Sequence, residues 1–404
     1  MKLRFLLFSS LVIAQSCTNN NLEPDNKPNL RALSSNEIQV SKSNETFAFK
    51  LFNEVSKGSD DNIFISPISV STALGMTLNG AAGDTKDGIL QAIDYGGLQS
   101  ADVNEGYKDL SSLLTSMDKK VEFALTNSIW YKKQLTINSD FANTVQTYYH
   151  GKVQALDFTS PDSKNTINNW VENNTNHKIK DLIEEIPSDA VMYLINATYF
   201  KGNWASQFDK SKTKKDSFYK EDGTTTQVDM MTASNESVLV SEDDKVSMID
   251  IPYGNGQFSM TILLPKVGFT TSEIRVALSS EYFDALLDKS SQSNGELKMP
   301  KFKLNWKEKL NDQLINLGMG VAFSDLASFP YLFNDPIPLS ISKVVHQSYI
   351  DVNEEGTEAA AATAIEISGT SVEPSAIIIN RPFIFIIREK HSKAILFIGQ
   401  LLNP

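Results

Sequence analysis

The chain has 404 residues, of which 41% are hydrophobic and 21% charged, a composition typical of a globular protein with a large core. Its formal net charge is -12 at pH 7. An acidic surface repels phosphate backbones, and no basic stripe with interleaved aromatic residues occurs along the chain. Nucleic acid is therefore not an expected partner.

The N-terminus has the pattern of an export signal. Lys2 and Arg4 precede an apolar run over 5–14 that is too short to span a bilayer permanently. The following "VIAQSC" resembles a bacterial lipobox, which predicts a signal peptide over 1–16 and a lipid on Cys17, the single cysteine. A free thiol after an ordinary signal peptide is the alternative. The lipobox interpretation predicts an exported protein anchored to the membrane through Cys17, in the periplasm or at the surface of the bacterial cell envelope.

The segment over 17–36 is rich in Asn, Pro and Ser and has few large apolar residues. Such a segment cannot bury a core, so it predicts a flexible tether. No comparable linker and no internal repeat follows it. One folded domain over 37–404 is therefore expected.

The first element of this domain has helical periodicity. "NETFAFKLFNEVS" (Asn44–Ser56) places Phe47, Leu51, Phe52 and Val55 on one face, which predicts an amphipathic helix.

Strand-like runs dominate the later part of the chain. Several are continuously apolar, which is typical of strands covered on both faces. The last two runs are separated only by 390–393, a hairpin-length connection. With helices mainly in the first half, the pattern predicts an α+β fold with large, mostly antiparallel sheets. The runs are "FALTNSIWY", "MYLINATYF", "FSMTILLP", "ELKMPKFKL", "AIIINRPFIFIIRE" and "AILFIGQLL".

No known catalytic or metal-binding motif is present. The chain has no nucleophile elbow, phosphate loop or dinucleotide-binding glycine pattern, and its four histidines have no metal-ligand spacing. We therefore expect neither an enzyme nor a cofactor or metal site. His346 lies in an apolar strand-like run and is more simply explained as a core histidine with satisfied hydrogen bonds. The histidines are His150, His177, His346 and His391.

Five segments together resemble the signature segments of the serpins, in the order and at the spacings of that family. They are "NIFISPISVSTALGMTLNGAAGDT", "INNWVENNTNHKIKDLI", "INATYFKGNW", "ISKVVHQSYIDVNEEGTEAAAAT" and "NRPFIFIIRE", and the chain ends in "GQLLNP". The resemblance implies three β-sheets, about nine helices and an exposed reactive loop over 354–379. It also implies a monomeric protease inhibitor that forms a covalent acyl complex with its target.

The segment "EEGTEAAAATAIEISGT" combines alanines that favour a helix with β-branched residues and glycines that favour a strand or a loop. From Thr357 onward, alternate residues are small or apolar, as in a half-buried strand. Insertion of a reactive loop as a new sheet strand is the known behaviour of serpins. The uninserted form would then be metastable and held by a kinetic barrier. The hinge that would insert first comprises Glu354, Glu355, Gly356, Thr357, Glu358, Ala359, Ala360, Ala361, Ala362 and Thr363.

The resemblance also places the bond that a protease would cleave. Counting from the hinge glycine gives the bond between Thr370 and Ser371, whereas counting back from "NRPF" gives Ser371 and Val372. No Lys or Arg lies between Gly356 and Arg381, which disfavours a trypsin-like target. Elastase-like or subtilisin-like serine proteases fit better, and papain-like cysteine proteases remain an option.

Other matched residues concern the opening of the sheet. Ser66, Ser69, Asn196 and His346 match the shutter of the family, and Trp204 matches the breach, where the loop enters. Hydroxyl, amide and imidazole groups can exchange hydrogen bonds as strands separate. The alternative is that they are only buried polar groups with satisfied partners. A further alternative for the whole protein is a non-inhibitory serpin with a binding or structural role.

Overall fold

The structure is a computed structural model that describes residue 28, residues 30–357 and residues 376–404. Within these residues the chain forms nine α-helices and fifteen β-strands. The helices are α1 (Ser35–Ser56), α2 (Pro67–Leu78), α3 (Gly83–Ala92), α4 (Ser100–Ser116), α5 (Ser139–Tyr149), α6 (Pro161–Asn174), α7 (Thr271–Ala277), α8 (Ser280–Asp288) and α9 (Asn311–Leu314).

The strands are distributed over the whole described chain. They are β1 (Ile63–Ile65), β2 (Val121–Lys132), β3 (Lys152–Leu156), β4 (Met192–Asn203), β5 (Lys214–Tyr219), β6 (Thr225–Glu242), β7 (Val246–Pro252), β8 (Phe258–Pro265), β9 (Ser291–Pro300), β10 (Phe302–Lys309), β11 (Val345–Val352), β12 (Gly356–Thr357), β13 (Ile377–Ile378), β14 (Phe383–Glu389) and β15 (Ile395–Leu401).

One sheet has six strands in the order β10-β11-β12-β4-β2-β3. Neighbouring strands within this sheet are antiparallel, except for β2 and β3, which are parallel. The two-residue strand β12 lies between β4 and β11 and is antiparallel to both. The long strands β4 and β11 therefore run parallel to each other on either side of it.

The remaining nine strands form a network in the order β1-β15-β14-β8-β7-β6-β9-β13, with β5 paired to β6. A register shift between Ala233 and Glu236 interrupts the ladder of β6 and β9, which remain paired on both sides of it. Strand β6 is the branch point of this sheet, since it pairs with β5, β7 and β9. The described strands thus form two hydrogen-bonded sheets, and the predicted α+β fold is confirmed.

Two of the predicted strand runs each form two strands. "ELKMPKFKL" ends β9 at Pro300 and begins β10 at Phe302, in different sheets. "AIIINRPFIFIIRE" divides into β13 and β14 around Pro382, which has no N–H for a ladder hydrogen bond. The other four runs each match one strand, and the hairpin of β14 and β15 is confirmed.

Helix α1 begins nine residues before the predicted helix, so residues 35 and 36 of the predicted tether are helical. The cause is a capping box, in which the side chains of Ser34 and Glu37 each accept a hydrogen bond from the other's backbone N–H. Arg31 forms an ion pair with Glu37 at 2.7 Å. On the predicted face Phe47, Leu51 and Phe52 are fully buried and Val55 is half-buried.

Helix α2 is buried along almost its whole length and contacts β4 of the six-stranded sheet and β15 of the larger network. Its first residue is Pro67, whose fixed φ and missing N–H suit a helix start. The residue before it, Ser66, therefore lies at a helix N-terminus between the two sheets. In the described residues, no helix is both long and apolar enough to cross a membrane.

Candidate functional site

Two hinge residues, Gly356 and Thr357 of β12, are already paired in the six-stranded sheet. Thr357 pairs with Val352 of β11, while Gly356 and Thr357 pair with Asn203 and Gly202 of β4. Both hinge residues are buried. Among the described residues, β4 and β11 form no pairing with each other, so β12 is the strand that joins them.

Glycine is required at the point where the hinge meets β4. Gly356 has a φ of +155°, and a Cβ there would lie 2.1 Å from the carbonyl oxygen of Gly202 and 2.7 Å from the Cα of Asn203. Backbone atoms cannot move aside as a side chain can, so a larger residue would push the hinge away from β4. At Gly356 the hinge and β4 are thus in close backbone contact.

The side chain of Thr357 contacts a tyrosine that is stacked on a tryptophan. The hydroxyl oxygens of Tyr253 and Thr357 are 2.6 Å apart, and both side chains are buried. The ring of Tyr253 stacks on that of Trp204 with centroids 4.4 Å apart. Burial raises the pKa of Tyr253, so its hydroxyl is protonated and available for hydrogen bonding.

Trp204 and the connection after β4 hold the backbone of the hinge. The indole N–H of Trp204 donates to the carbonyl oxygen of Asn353 at 2.9 Å, and its backbone N–H donates to that of Glu355 at 3.0 Å. The backbone N–H of Phe208 donates to the carbonyl oxygen of Glu354 at 2.9 Å. The structure therefore brings Trp204, the predicted breach residue, into direct contact with the hinge.

Both hinge glutamates are buried and paired with lysines. Glu354 is 2.9 Å from the ammonium of Lys301 and accepts a hydrogen bond from Thr213 at 2.8 Å. Burial acts to raise the pKa of Glu354, but the hydrogen bonds from Lys301 and Thr213 outweigh it, and the pKa lies below its usual value. Glu355 pairs with Lys210. Each buried carboxylate thus fixes the hinge to an exposed lysine.

The four predicted shutter residues form two pairs beneath the sheet. The backbone N–H of Ser66 donates to Nε2 of His346 on β11 at 3.0 Å, and the hydroxyl of Ser69 donates to Oδ1 of Asn196 on β4. Asn196 also donates to Asn127 of β2 at 2.5 Å. The first turn of α2 and the residue before it therefore bond to both strands that flank β12.

Sequence reasoning missed Tyr253, Asn127 and the partners of the hinge glutamates. Tyr253 follows β7 in "IPYGNG", where the turn residues gave no sign of a contact with the hinge. His177 and His391 contact Glu172 and the carbonyl oxygen of Arg31, and the described residues contain no cluster able to hold a metal ion. The predicted residues Cys17, Glu358, Ala359, Ala360, Ala361, Ala362, Thr363, Thr370, Ser371 and Val372 lie outside the described residues, as does the signal peptide.

The burial and hydrogen bond of His346 predict that the stability of the folded protein depends on pH. Its Nε2 accepts a hydrogen bond, so the ring must be neutral, and burial lowers its pKa to about 4. Because an unfolded histidine has a pKa near 6.5, the stability that neutral His346 contributes is complete above pH 6.5 and is lost as the pH falls toward 4.

Between pH 7 and pH 4, chemical denaturation should show that the wild type loses about 3 kcal/mol of unfolding free energy that His346→Gln, which cannot titrate, does not lose. The exposed-site variant His150→Asn serves as the control and should retain the wild-type loss; equal pH dependence in His346→Gln would contradict the assignment.

Comparisons with known proteins agree with this architecture. The family described as Serpin (serine protease inhibitor) matches residues 42–404. An uncharacterized serpin-like protein of Methanosarcina acetivorans is 32% identical over 100% of this chain and 98% of its own, and human neuroserpin is 32% identical over 86% and 87%. The crystal structure of human thyroxine-binding globulin has a TM-score of 0.83 at 30% identity, covering 92% of this chain and 100% of its own. That of the thermophilic serpin Tengpin in its native state has a TM-score of 0.83 at 29% identity, covering 93% and 96%. The chain therefore belongs to the serpin family.

Proposed function

We propose that this serpin is a suicide-substrate inhibitor of proteases, which traps its target by inserting the cleaved reactive loop between β4 and β11. One observation carries the proposal: β12 pairs with both strands, while among the described residues they do not pair with each other. A hinge in this position would lead an inserting loop into the middle of the sheet. Most serpins are protease inhibitors, although some, such as thyroxine-binding globulin, are not.

The driving force for insertion comes from the backbone groups of two strand edges. β4 has twelve residues and β11 has eight, and each faces the position of β12 with its inner edge. A strand that continued from Thr357 would bond to both edges, and each hydrogen bond contributes about 0.5–1.5 kcal/mol net. The sum is comparable with the total stability of a domain, about 5–15 kcal/mol. The small residues that follow Thr357 in the sequence favour such an insertion.

The bonds beneath the sheet support separation of β4 and β11. Ser66 bonds to His346 and Ser69 to Asn196, so one helix terminus holds both strands through neutral groups. Such groups can exchange partners without leaving a charge buried, whereas a packed apolar contact would be lost. We therefore propose that these four residues form the shutter of the sheet.

In the proposed mechanism, the catalytic serine of the protease attacks the carbonyl carbon of a reactive-loop residue and forms an acyl-enzyme. Breakage of the peptide bond releases the C-terminal side, and the N-terminal side inserts with the protease still attached. Displacement of the catalytic serine from its histidine and oxyanion hole slows hydrolysis of the ester by orders of magnitude. Inhibition therefore requires that insertion be faster than hydrolysis.

The proposed target is an elastase-like or subtilisin-like protease, or a papain-like cysteine protease. The cleaved bond would be Thr370–Ser371, or Ser371–Val372 by the alternative count. The basis is sequence alone: no Lys or Arg lies between Gly356 and Arg381. A non-inhibitory role is the second candidate, favoured by the likeness to thyroxine-binding globulin.

Mixing the protein with an elastase-like protease should produce a covalent complex that survives denaturing gel electrophoresis, because the acyl-enzyme is trapped. Mass spectrometry of the released C-terminal peptide should identify the cleaved bond. The loop-cleaved protein should also unfold at a higher temperature than the intact protein. Cleavage by serine and cysteine proteases without complex or gain in thermal stability would exclude inhibition and favour the non-inhibitory candidate.

Thr357→Arg should convert the inhibitor into a substrate. The arginine would replace a hydroxyl that is already buried against Tyr253, and an unpaired buried charge there costs several kcal/mol. This cost would displace the hinge from the sheet and so slow insertion. The number of inhibitor molecules consumed per trapped protease should rise at least tenfold, as titration of residual protease activity would show. Thr225→Arg, at an exposed position of β6, adds the same charge and should leave this number unchanged; equal behaviour of the two variants would contradict the role of Thr357.

We also propose that the protein acts as a monomer, exported and anchored in the bacterial cell envelope by a lipid on Cys17. The support is the sequence of the export signal and the tether that follows it. Cys17→Ser should release the protein from the membrane fraction, and mass spectrometry should find a lipidated N-terminal cysteine only in the wild type. A wild-type N-terminus with an unmodified cysteine would contradict the anchor.

A further inference from the structure

A surface pocket of about 570 Å³ lies beside the end of β4, next to the hinge. It is formed by the connection between α4 and β2, the ends of β2 and β4, the residues after β4, and the turn between β7 and β8. Its lining consists of Lys119, Lys120, Glu122, Lys201, Asn203, Trp204, Ala205, Gln207 and Gly254. Of these residues, only Trp204 has a role predicted from the sequence.

The pocket is positively charged on an acidic protein. Three lysines and one glutamate line it, in a chain whose net charge is -12. Within the described part of the chain, Lys120 and Lys201 have no carboxylate within ion-pair distance, in contrast to the nearby Lys210 and Lys301, which pair with the hinge glutamates. Two ammonium groups without a protein counter-ion therefore face one concave surface.

The walls of the pocket are held in place by backbone hydrogen bonds. The carboxylate of Asp118 accepts the backbone N–H of Lys120 at 2.8 Å and that of Asn255 at 2.7 Å, which ties two of the connections together. The N–H of Gly254 donates to the carbonyl oxygen of Asn203 at 2.9 Å. The backbone that carries the lysines is thus ordered before any ligand arrives, which reduces the entropic cost of binding.

We propose that this pocket binds a small ligand with at least two negative charges, of the phosphate or diphosphate class. Its volume is in the range of small-molecule sites, and lysine ammonium groups are common ligands of phosphate oxygens. Glu122 opposes such a ligand and sets a limit on its affinity. Binding does not require that the protein inhibit proteases, so this site stands apart from the proposed function.

The ligand would be coupled to the hinge through two shared residues. Asn203 is the strand partner of Gly356, and Trp204 holds the carbonyl oxygens of Asn353 and Glu355. Both also form the wall of the pocket. Since coupling between sites is reciprocal, insertion of the loop should change the affinity of the pocket, and the ligand should change the ease of insertion.

Isothermal titration calorimetry of the intact protein with inorganic pyrophosphate at low ionic strength tests whether the pocket binds such a ligand. We expect a dissociation constant below about 1 mM, which added salt weakens. The double variant Lys120→Gln/Lys201→Gln should bind at least tenfold more weakly. Lys214→Gln/Lys289→Gln, at exposed positions on β5 and just after α8, removes the same net charge and should bind like the wild type.

A variant with the opposite expected effect guards against misfolding as an explanation. Glu122→Gln removes the carboxylate of the pocket and should bind pyrophosphate several-fold more tightly than the wild type. The proposal is overturned if the wild type does not bind pyrophosphate, if both double variants bind equally, or if Glu122→Gln does not tighten binding. All of these results are measurements of pyrophosphate binding, so they test the pocket separately from the proposed inhibition of proteases.

Discussion

The structure depends on how β4 and β11, two parallel strands in the middle of a sheet, satisfy the backbone groups of their facing edges. At the level of the hinge, Gly356 and Thr357 supply the missing strand and bond to both. Backbone N–H and C=O groups buried without partners cost free energy, so a sheet that is held apart at one point favours the addition of a strand. Proximity of β4 to Gly356 limits this position to glycine, and the buried hydroxyl of Thr357 limits the next to a small polar residue.

The six-stranded sheet is held by different kinds of contact around the hinge and at the bonds to α2 beneath it. Around the hinge, the buried carboxylates of Glu354 and Glu355 pair with Lys301 and Lys210, and the hydroxyl of Tyr253 contacts that of Thr357. Beneath the sheet, neutral groups on α2 bond to both strands. Removal of either lysine would leave a buried carboxylate without its partner, which is destabilising, whereas neutral hydrogen bonds exchange at low cost. The hinge end is thus fixed, and the centre of the sheet is suited to rearrangement.

Much of the fold followed from local patterns. The apolar face of α1 and the continuous runs of β2, β4 and β8 could be predicted because burial on one or both faces imposes a period on the sequence. The same patterns predicted single strands where the chain forms two. Pro300 is the last residue of β9 and Pro382 directly precedes β14, and neither pattern shows which strand the next one will pair with. The capping box of Ser34 and Glu37 was a readable signal that moves the start of α1 to Ser35.

The serpin resemblance, the α+β class and the small residues of the predicted hinge could be recognised without coordinates, because they depend on the order and size of residues along the chain. Only the folded chain shows that Tyr253 contacts Thr357, that Lys301 and Lys210 pair with the hinge glutamates, and that Lys120 and Lys201 line one pocket. The residues in each of these groups are separated by many positions in the sequence. Their proximity comes from strand pairing and helix packing, which no local pattern encodes, and it is this proximity that turns ordinary polar residues into a site.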